Sequence, residues 1–225
     1  MKVDNKKIIQ SGKTVLGIEL GSTRIKSVLL NDKNETIATG SHSWENSYQD
    51  GIWTYSLDEV WQGLQSSYSD LAKKVKEEYG VALKKIASIG ISAMMHGYLA
   101  FDENEDLLVP FRTWRNNITE EASKKLREVF EYPIPQRWSI AHLYQAILNG
   151  EEHVSEVDYM TTLSGYVHWQ LTGKKVLGVG DASGMFPIDI ETSSFNRRMF
   201  EQFNNLIDDK NFDWKLEDIM PETLT

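Results

Sequence analysis

The 225-residue chain contains no cysteine, and this absence excludes disulfide bonds, zinc–thiolate sites and cysteine nucleophiles. Positive charge is also scarce, because 24 Lys and Arg residues stand against 33 Asp and Glu residues, a formal net charge of −9. Broad nucleic-acid binding and docking on anionic membranes both need basic surfaces, so we expect neither partner. No apolar run is long enough to span a bilayer, and the first residues lack the apolar segment of a signal peptide. We therefore expect a cytoplasmic protein.

The remaining composition is that of an ordinary globular protein, with 40% hydrophobic and 25% charged residues. The chain opens with a polar lead, residues 1–13, and the rest, residues 14–225, is long enough for one large domain or two small ones. Alternating and apolar runs predict an antiparallel meander of three strands followed by two further strands. These runs are a hairpin over Thr14–Leu30, a strand over Thr36–Ser43, a buried strand over Ile86–Ser92 and a strand over Tyr98–Phe101.

Helical periodicity dominates the rest of the chain. Ser56 and Glu59 form a capping-box pattern, and apolar residues at spacings of three and four continue from Leu57 to Tyr79. Shorter helices are predicted over Thr119–Phe130, Ile140–Leu148, Ser164–Leu171 and Asn196–Ile207. The tail, Asp208–Thr225, is polar, and no strand run follows it. This order of elements indicates the α/β class.

The hairpin carries a carboxylate, Glu19, inside its apolar first strand, and a Gly21-Ser22-Thr23 turn follows. An ionised carboxylate buried in such a strand costs several kcal/mol unless a metal, a cation or several donors compensate it. The backbone N–H groups and two hydroxyls of the turn are the donors that a chain of phosphates requires. The alternative is an edge hairpin in which Glu19 points to solvent.

A second candidate follows the predicted strand Ile86–Ser92, where Met95, His96 and Gly97 stand in sequence. Ligands of α/β sheets bind beyond the carboxyl ends of strands, so His96 is placed to bond a polyol hydroxyl. A structural histidine is the alternative.

Two later segments are also candidates. Trp114, Arg115 and Asn116 combine a planar ring with guanidinium and amide groups, which suits a sugar, although a surface loop with an anchored Trp explains them equally well. The Gly178–Asp189 segment contains a Gly-Xaa-Gly-Asp pattern that fits a phosphate or catalytic loop or, equally, a tight turn.

Several of these motifs, in this order, resemble the N-terminal half of the FGGY family of carbohydrate kinases. They are Gly17-Ile18-Glu19-Leu20-Gly21-Ser22-Thr23, Ile89-Gly90-Ile91-Ser92, Met94-Met95-His96-Gly97, Trp114-Arg115-Asn116, Leu171-Thr172-Gly173, Asp181-Ala182-Ser183-Gly184 and Phe186-Pro187-Ile188-Asp189. The Met95-His96-Gly97 segment is most similar to that of the xylulose kinases. The resemblance covers the chain from about Thr14 to its end, and its specificity lies in the ordered combination.

The resemblance implies a ribonuclease H-like (actin/hexokinase-like ATPase) domain, a mixed sheet with antiparallel N-terminal strands flanked by helices. It implies that Gly21, Ser22 and Thr23 face the phosphates of ATP and that Glu19 holds Mg²⁺ through water. Most members of the family have an aspartate in place of this glutamate.

The sugar site implied by the resemblance is formed by Met95, His96, Trp114, Arg115 and Asn116, for a ketopentose such as xylulose. The family's general base and its adenosine-binding C-terminal domain follow later than residue 225, so Asp181 is not assigned as the base. We therefore expect a first lobe that is inactive alone, with the absent domain and a second copy of the chain as candidate partners. A non-catalytic sugar sensor and an actin/Hsp70-like ATPase module are the alternatives.

Overall fold

The computed structural model describes residues 4–224. The chain forms two compact units: the first combines the described residues up to Asn46 with Tyr55–Met94, and the second combines Ser47–Thr54 with the described residues from Met95 onward. The first unit contains α1 (Asn5–Ser11), β1 (Val15–Leu20), β2 (Arg24–Leu30), β3 (Thr36–Ser43), α2 (Leu57–Tyr79) and β6 (Ser88–Ala93).

The first unit is built on a four-stranded sheet in the order β3-β2-β1-β6. β1 pairs antiparallel with β2 and parallel with β6. The predicted three-stranded meander is therefore confirmed, and β6 extends it into a mixed sheet. Leu20 lies opposite Ala93 in the parallel pair, so the carboxyl ends of β1 and β6 lie side by side.

Helix α2 packs mainly over β3 and β2. The predicted capping box is present, since the Ser56 side chain accepts from the Glu59 N–H and the Glu59 side chain accepts from the Ser56 N–H. The closest approach of helix to sheet is at Gly40, where an added Cβ would lie 2.0 Å from the Ser67 carbonyl oxygen. Only glycine permits this distance.

The expectation of a buried strand over Ile86–Ser92 is wrong. β6 begins at Ser88, its residues are exposed or half-exposed, and Ile89 retains 51% of its accessible surface. β6 forms one edge of the sheet, while α2 lies mainly over the strands on the opposite side of β1. An apolar run therefore indicated a strand here without indicating what covers it.

The second unit contains more helix than strand and holds a large apolar core. The buried helix α4 lies within this core, and residues 139–147 are all buried. The elements are β4 (Ser47–Gln49), β5 (Ile52–Thr54), β7 (Leu99–Phe101), α3 (Glu120–Phe130), α4 (Ser139–Asn149), β8 (Tyr159–Thr161), α5 (Leu163–Thr172), β9 (Val176–Gly178), α6 (Val179–Ala182), β10 (Ile188–Asp189), β11 (Ser194–Phe195), α7 (Arg197–Leu206), α8 (Leu216–Ile219) and β12 (Glu222–Leu224). The four predicted shorter helices correspond to α3, α4, α5 and α7. No helix within residues 4–224 has the length and apolarity needed to cross a bilayer.

Two terminal expectations differ from the structure. The polar lead contains α1, which Asp4 caps by accepting from the Lys7 N–H and which buries Ile9. The tail contains β12, which pairs in parallel with β9 and was not expected. A strand of three residues is too short to show a period, so only the partner strand identifies it. Residues 1–3 and Thr225 lie outside the described part of the chain.

We predict that Gly40→Ala lowers the free energy of unfolding of the chain by about 3 kcal/mol, because the new methyl group would collide with the α2 backbone. Gly90→Ala is the matched control, since it is also in a sheet strand and an added Cβ there meets nothing within 4 Å. Urea unfolding of both variants measures the difference, and equal stabilities would contradict the packing described here.

Candidate active site

The Gly21–Thr23 turn between β1 and β2 has all three of its carbonyl groups bound by the first unit. The Trp44 indole Nε1–H donates to the Gly21 carbonyl at 2.7 Å, and the Tyr55 hydroxyl donates to the Ser22 carbonyl at 2.6 Å. The Trp44 backbone N–H donates to the Thr23 carbonyl at 3.2 Å. The acceptors of the turn are therefore directed into the protein.

The donors of the same turn are exposed. Ser22 and Thr23 are exposed residues, and within residues 4–224 neither their backbone N–H groups nor their hydroxyls have a hydrogen-bond partner. Successive exposed N–H groups beside hydroxyls form an anion-binding concavity of the kind that holds phosphate. The sequence pattern identified the turn but not Trp44 and Tyr55, because no local pattern links residues more than twenty positions away to it.

Glu19 lies on the open face of the sheet and pairs across the strands with Lys26, with 3.2 Å between Nζ and Oε2. Its side chain is 54% exposed, so the burial penalty expected from the apolar strand does not apply. The alternative is confirmed in one part, since Glu19 does face solvent, and wrong in the other, because β1 is an inner strand and not an edge. Glu19 and Lys26 line an open pocket of about 580 Å³, together with Gly90 and Ser92.

One carboxylate near phosphate donors is a donor set that fits Mg²⁺, which keeps most of its waters and takes few ligands from protein. Within the described residues no group of three His, Asp or Glu side chains could hold a metal by itself. Any Mg²⁺ here would therefore depend on Glu19, water and the phosphates of a nucleotide.

In the second unit, His96 has a left-handed backbone with φ of 72° and a half-buried ring. Its Nδ1 lies 3.1 Å from the Gly184 carbonyl oxygen. Burial lowers the pKa of His96 below its usual value, and the nearby Arg137 lowers it further, against the opposing effects of the Gly184 carbonyl and Asp181. The ring is thus held neutral near neutral pH.

The residue after His96 is fixed on both sides. The Gly97 N–H donates to the Arg137 carbonyl at 3.1 Å, and the Ser139 hydroxyl donates to the Gly97 carbonyl at 2.6 Å. Gly97 has φ of 100°, and a Cβ there would lie 2.7 Å from the Arg112 carbonyl oxygen. These contacts fix the backbone next to His96 within the second unit.

The Trp114 segment divides into exposed and buried parts. Trp114 and Arg115 line a pocket of about 300 Å³ with Arg137. The guanidinium of Arg115 stacks on the Trp53 ring, 3.9 Å from its centroid. Asn116 is buried instead, and its amide bonds the backbone N–H and carbonyl of Trp53, each at 2.9 Å.

The sequence left Asp181 without a role. It lies in the four-residue helix α6 and accepts hydrogen bonds from the hydroxyls of Thr162 and Ser164 at the start of α5. The Gly-Xaa-Gly-Asp pattern is therefore a short helical turn in this fold.

The predicted site residues fall into two groups. The phosphate and metal candidates Glu19, Gly21, Ser22 and Thr23 belong to the first unit, and the sugar candidates belong to the second. Within the second unit, Met95 and His96 precede a backbone bridge between Tyr98 and Arg112, and Trp114 follows it. That bridge brings the two sugar segments to one end of the unit.

Comparisons with known proteins identify the family of the chain. The model of the FGGY family of carbohydrate kinases, N-terminal domain, matches residues 14–208. The xylulose kinase of Lactococcus lactis is 23% identical over 206 residues, which cover 84% of this chain and 39% of that protein. The gluconokinase of Bacillus subtilis is 29% identical over 116 residues, 51% of this chain and 21% of that protein.

A solved structure shares the fold. The gluconate kinase of Lactobacillus acidophilus superimposes with a TM-score of 0.77 at 18% identity, over 94% of this chain and 42% of that one. The chain thus has the actin/hexokinase-like ATPase fold of the sugar kinases, and it belongs to the FGGY family of carbohydrate kinases. It spans about two fifths of the length of the xylulose kinase and of this structure.

We predict that Tyr55→Phe lowers the free energy of unfolding by about 1 kcal/mol, because the Ser22 carbonyl loses its donor. The stacking of this ring on Trp44, with centroids 4.3 Å apart, remains. Tyr48→Phe is the control, since Tyr48 is 62% exposed and its change is expected within about 0.5 kcal/mol. Urea unfolding measures the free energy of unfolding of both variants. An equal loss in Tyr55→Phe and Tyr48→Phe would contradict a structural role for the Tyr55 hydroxyl.

Proposed function

We propose that this chain is the sugar-binding lobe of an ATP-dependent carbohydrate kinase, which transfers the γ-phosphate of ATP to a sugar hydroxyl. The observation that carries this proposal is the Gly21–Thr23 turn, whose carbonyls are bound internally while its donors are exposed beside Glu19. That arrangement occurs in a chain whose family is one of sugar kinases.

In the proposed mechanism, the N–H groups and hydroxyls of Ser22 and Thr23 bind phosphate oxygens. Glu19 would hold Mg²⁺ through water, and the ion would supply charge neutralisation at the phosphates. Lys26 already contacts Glu19 and can move its ammonium group toward the same phosphate charge. Phosphoryl transfer needs positioning and electrostatic stabilisation more than covalent help from the protein, which suits these groups.

In the second unit, we propose that Met95, His96 and Trp114 contact the sugar, with Trp114 stacking on its C–H face and His96 bonding a hydroxyl. Arg115 lines the neighbouring pocket. Asn116 acts indirectly, because its amide is occupied in holding Trp53. A ketopentose such as xylulose is the candidate substrate, supported by the resemblance at Met95-His96-Gly97 and by the xylulose kinase relative.

The chain covers about two fifths of that relative, so we propose that the general base and the adenosine site belong to a C-terminal domain outside this sequence. Turnover by this chain alone is then expected to be negligible, since half of the phosphate-transfer machinery would be lacking.

We predict that calorimetry of the chain with D-xylulose, D-gluconate and glycerol detects binding of at least one of them, and that His96→Ala weakens that binding about tenfold. The loss of one hydrogen bond to a half-buried ring accounts for this size. His168→Ala is the matched control on α5, where no change is expected. Unchanged affinity in His96→Ala would remove His96 from the sugar site, and ATP hydrolysis indifferent to every sugar would favour an ATPase module instead.

In the kinase with both lobes present, we predict that Glu19→Gln lowers phosphoryl transfer at least about a hundredfold, because the amide keeps the shape of the side chain without its charge. The sugar dissociation constant is expected to stay the same. Glu19→Asp, which introduces the acid usual in the family, is expected to retain measurable transfer. A coupled assay of ADP release measures the transfer. Full activity in Glu19→Gln would exclude the proposed role of Glu19 in holding Mg²⁺.

A further inference from the structure

The Asp181–Gly184 segment has no part in the mechanism above, yet two side-chain hydrogen bonds fix its first residue. The hydroxyls of Thr162 and Ser164 both donate to the Asp181 carboxylate. A tight helical turn follows, in which the Gly184 N–H donates to the Asp181 carbonyl at 2.9 Å. Asp181 thereby fixes where the Gly184 carbonyl lies.

That carbonyl determines the protonation pattern of His96. A carbonyl oxygen can only accept, so at 3.1 Å the His96 Nδ1 must carry the hydrogen that is shared with it. In a neutral imidazole with a hydrogen on Nδ1, the other nitrogen, Nε2, is an unprotonated acceptor.

The position of His96 is imposed by these neighbours. Its φ of 72° is a conformation that non-glycine residues rarely adopt. The Gly184 backbone also leaves room for the ring, because an added Cβ would lie 2.7 Å from His96 Nδ1 and 3.1 Å from the Met95 methyl carbon. A side chain at position 184 would therefore displace His96 and press on Met95, two of the residues that the proposed sugar site uses.

We propose that Asp181 and Gly184 are positioning residues that hold His96 with its Nε2 lone pair directed to substrate, so that the sugar must donate a hydroxyl hydrogen there. This inference rests on the proposed function and deepens it. An unprotonated Nε2 makes the site specific for a sugar with a free hydroxyl next to His96, since an ether, carbonyl or deoxy carbon cannot donate to Nε2.

A pH dependence follows from the same geometry. The charged groups near His96 are Arg137, which lowers its pKa, and Asp181, which raises it, while burial is the largest effect and lowers it. The ring is therefore neutral near pH 7 and becomes protonated only at a pH below its usual range. Protonation would place a hydrogen on Nε2, so sugar affinity is expected to hold at neutral pH and to fall under acidic conditions.

The test begins with nitrogen NMR of the labelled chain without any sugar. The chain has 5 histidines, and the signals of His96 are assigned by their loss in His96→Gln. We expect a protonated Nδ1 and an unprotonated Nε2 in the wild type and in Gly180→Ala. Gly180 is the matched control, because it lies in the same segment and an added Cβ there meets nothing within 4 Å. A hydrogen on Nε2 in the wild type would overturn the inference.

Gly184→Ala is expected to lose this pattern and to weaken sugar binding at least about tenfold, while Gly180→Ala stays within about twofold. Asp181→Ala is expected to weaken binding in the same way. Asp181→Asn is expected to restore it largely, since one amide oxygen can accept from both hydroxyls. Circular dichroism and thermal unfolding confirm that each variant is folded.

The outcomes separate the inference from the proposed function. If the wild type binds a sugar and Gly184→Ala binds it as tightly, the positioning role is wrong and the proposed function stands. If binding leaves the Nε2 signal unmoved, His96 does not accept from the sugar. If no sugar binds the wild type, the proposed function fails, and the sugar role of His96 fails with it. The nitrogen signals of the free chain still decide whether Gly184 fixes the ring of His96.

Discussion

The first unit depends on the hydrogen bonding of β1, which is satisfied on both sides by strands of opposite direction. The antiparallel partner β2 brings the chain back after a three-residue turn, and the parallel partner β6 brings a distant segment to end beside Leu20. A tight turn and the end of a parallel strand thus come to one edge of the sheet. Because main-chain ladders are cooperative and directional, this pairing places functional backbone groups more reliably than side-chain contacts alone.

Both candidate sites are arranged by groups that do not touch a ligand. Trp44 and Tyr55 bind the carbonyls of the phosphate turn, and the donors of that turn are left for an anion. Gly184 similarly binds one nitrogen of His96 and leaves the other. In each case a partner elsewhere in the fold satisfies part of the hydrogen-bonding capacity of a polar group and so determines whether the remaining part donates or accepts.

The sequence predicted the elements that have a strong local signature. The capping box at Ser56, the long apolar stripe of α2 and the strand Thr36–Ser43 all occur as predicted, because a periodic face and a cap are properties of neighbouring residues. The predictions that were wrong concern burial and partners. β6 is exposed, Glu19 is paired on an open face, and β12 exists only as the partner of β9.

By itself the sequence determined the class of fold, the family and the residues that are candidates for chemistry, since these reside in residue type and spacing. Tertiary structure alone decided what each candidate does: Asn116 is buried against Trp53, whereas Trp114, two positions away, is exposed. It also gave Gly184 its contact with His96, and Asp181 its hydrogen bonds from Thr162 and Ser164. The physical reason is that hydrogen-bond partners and burial depend on residues far apart in the chain, and no local pattern records which of them meet.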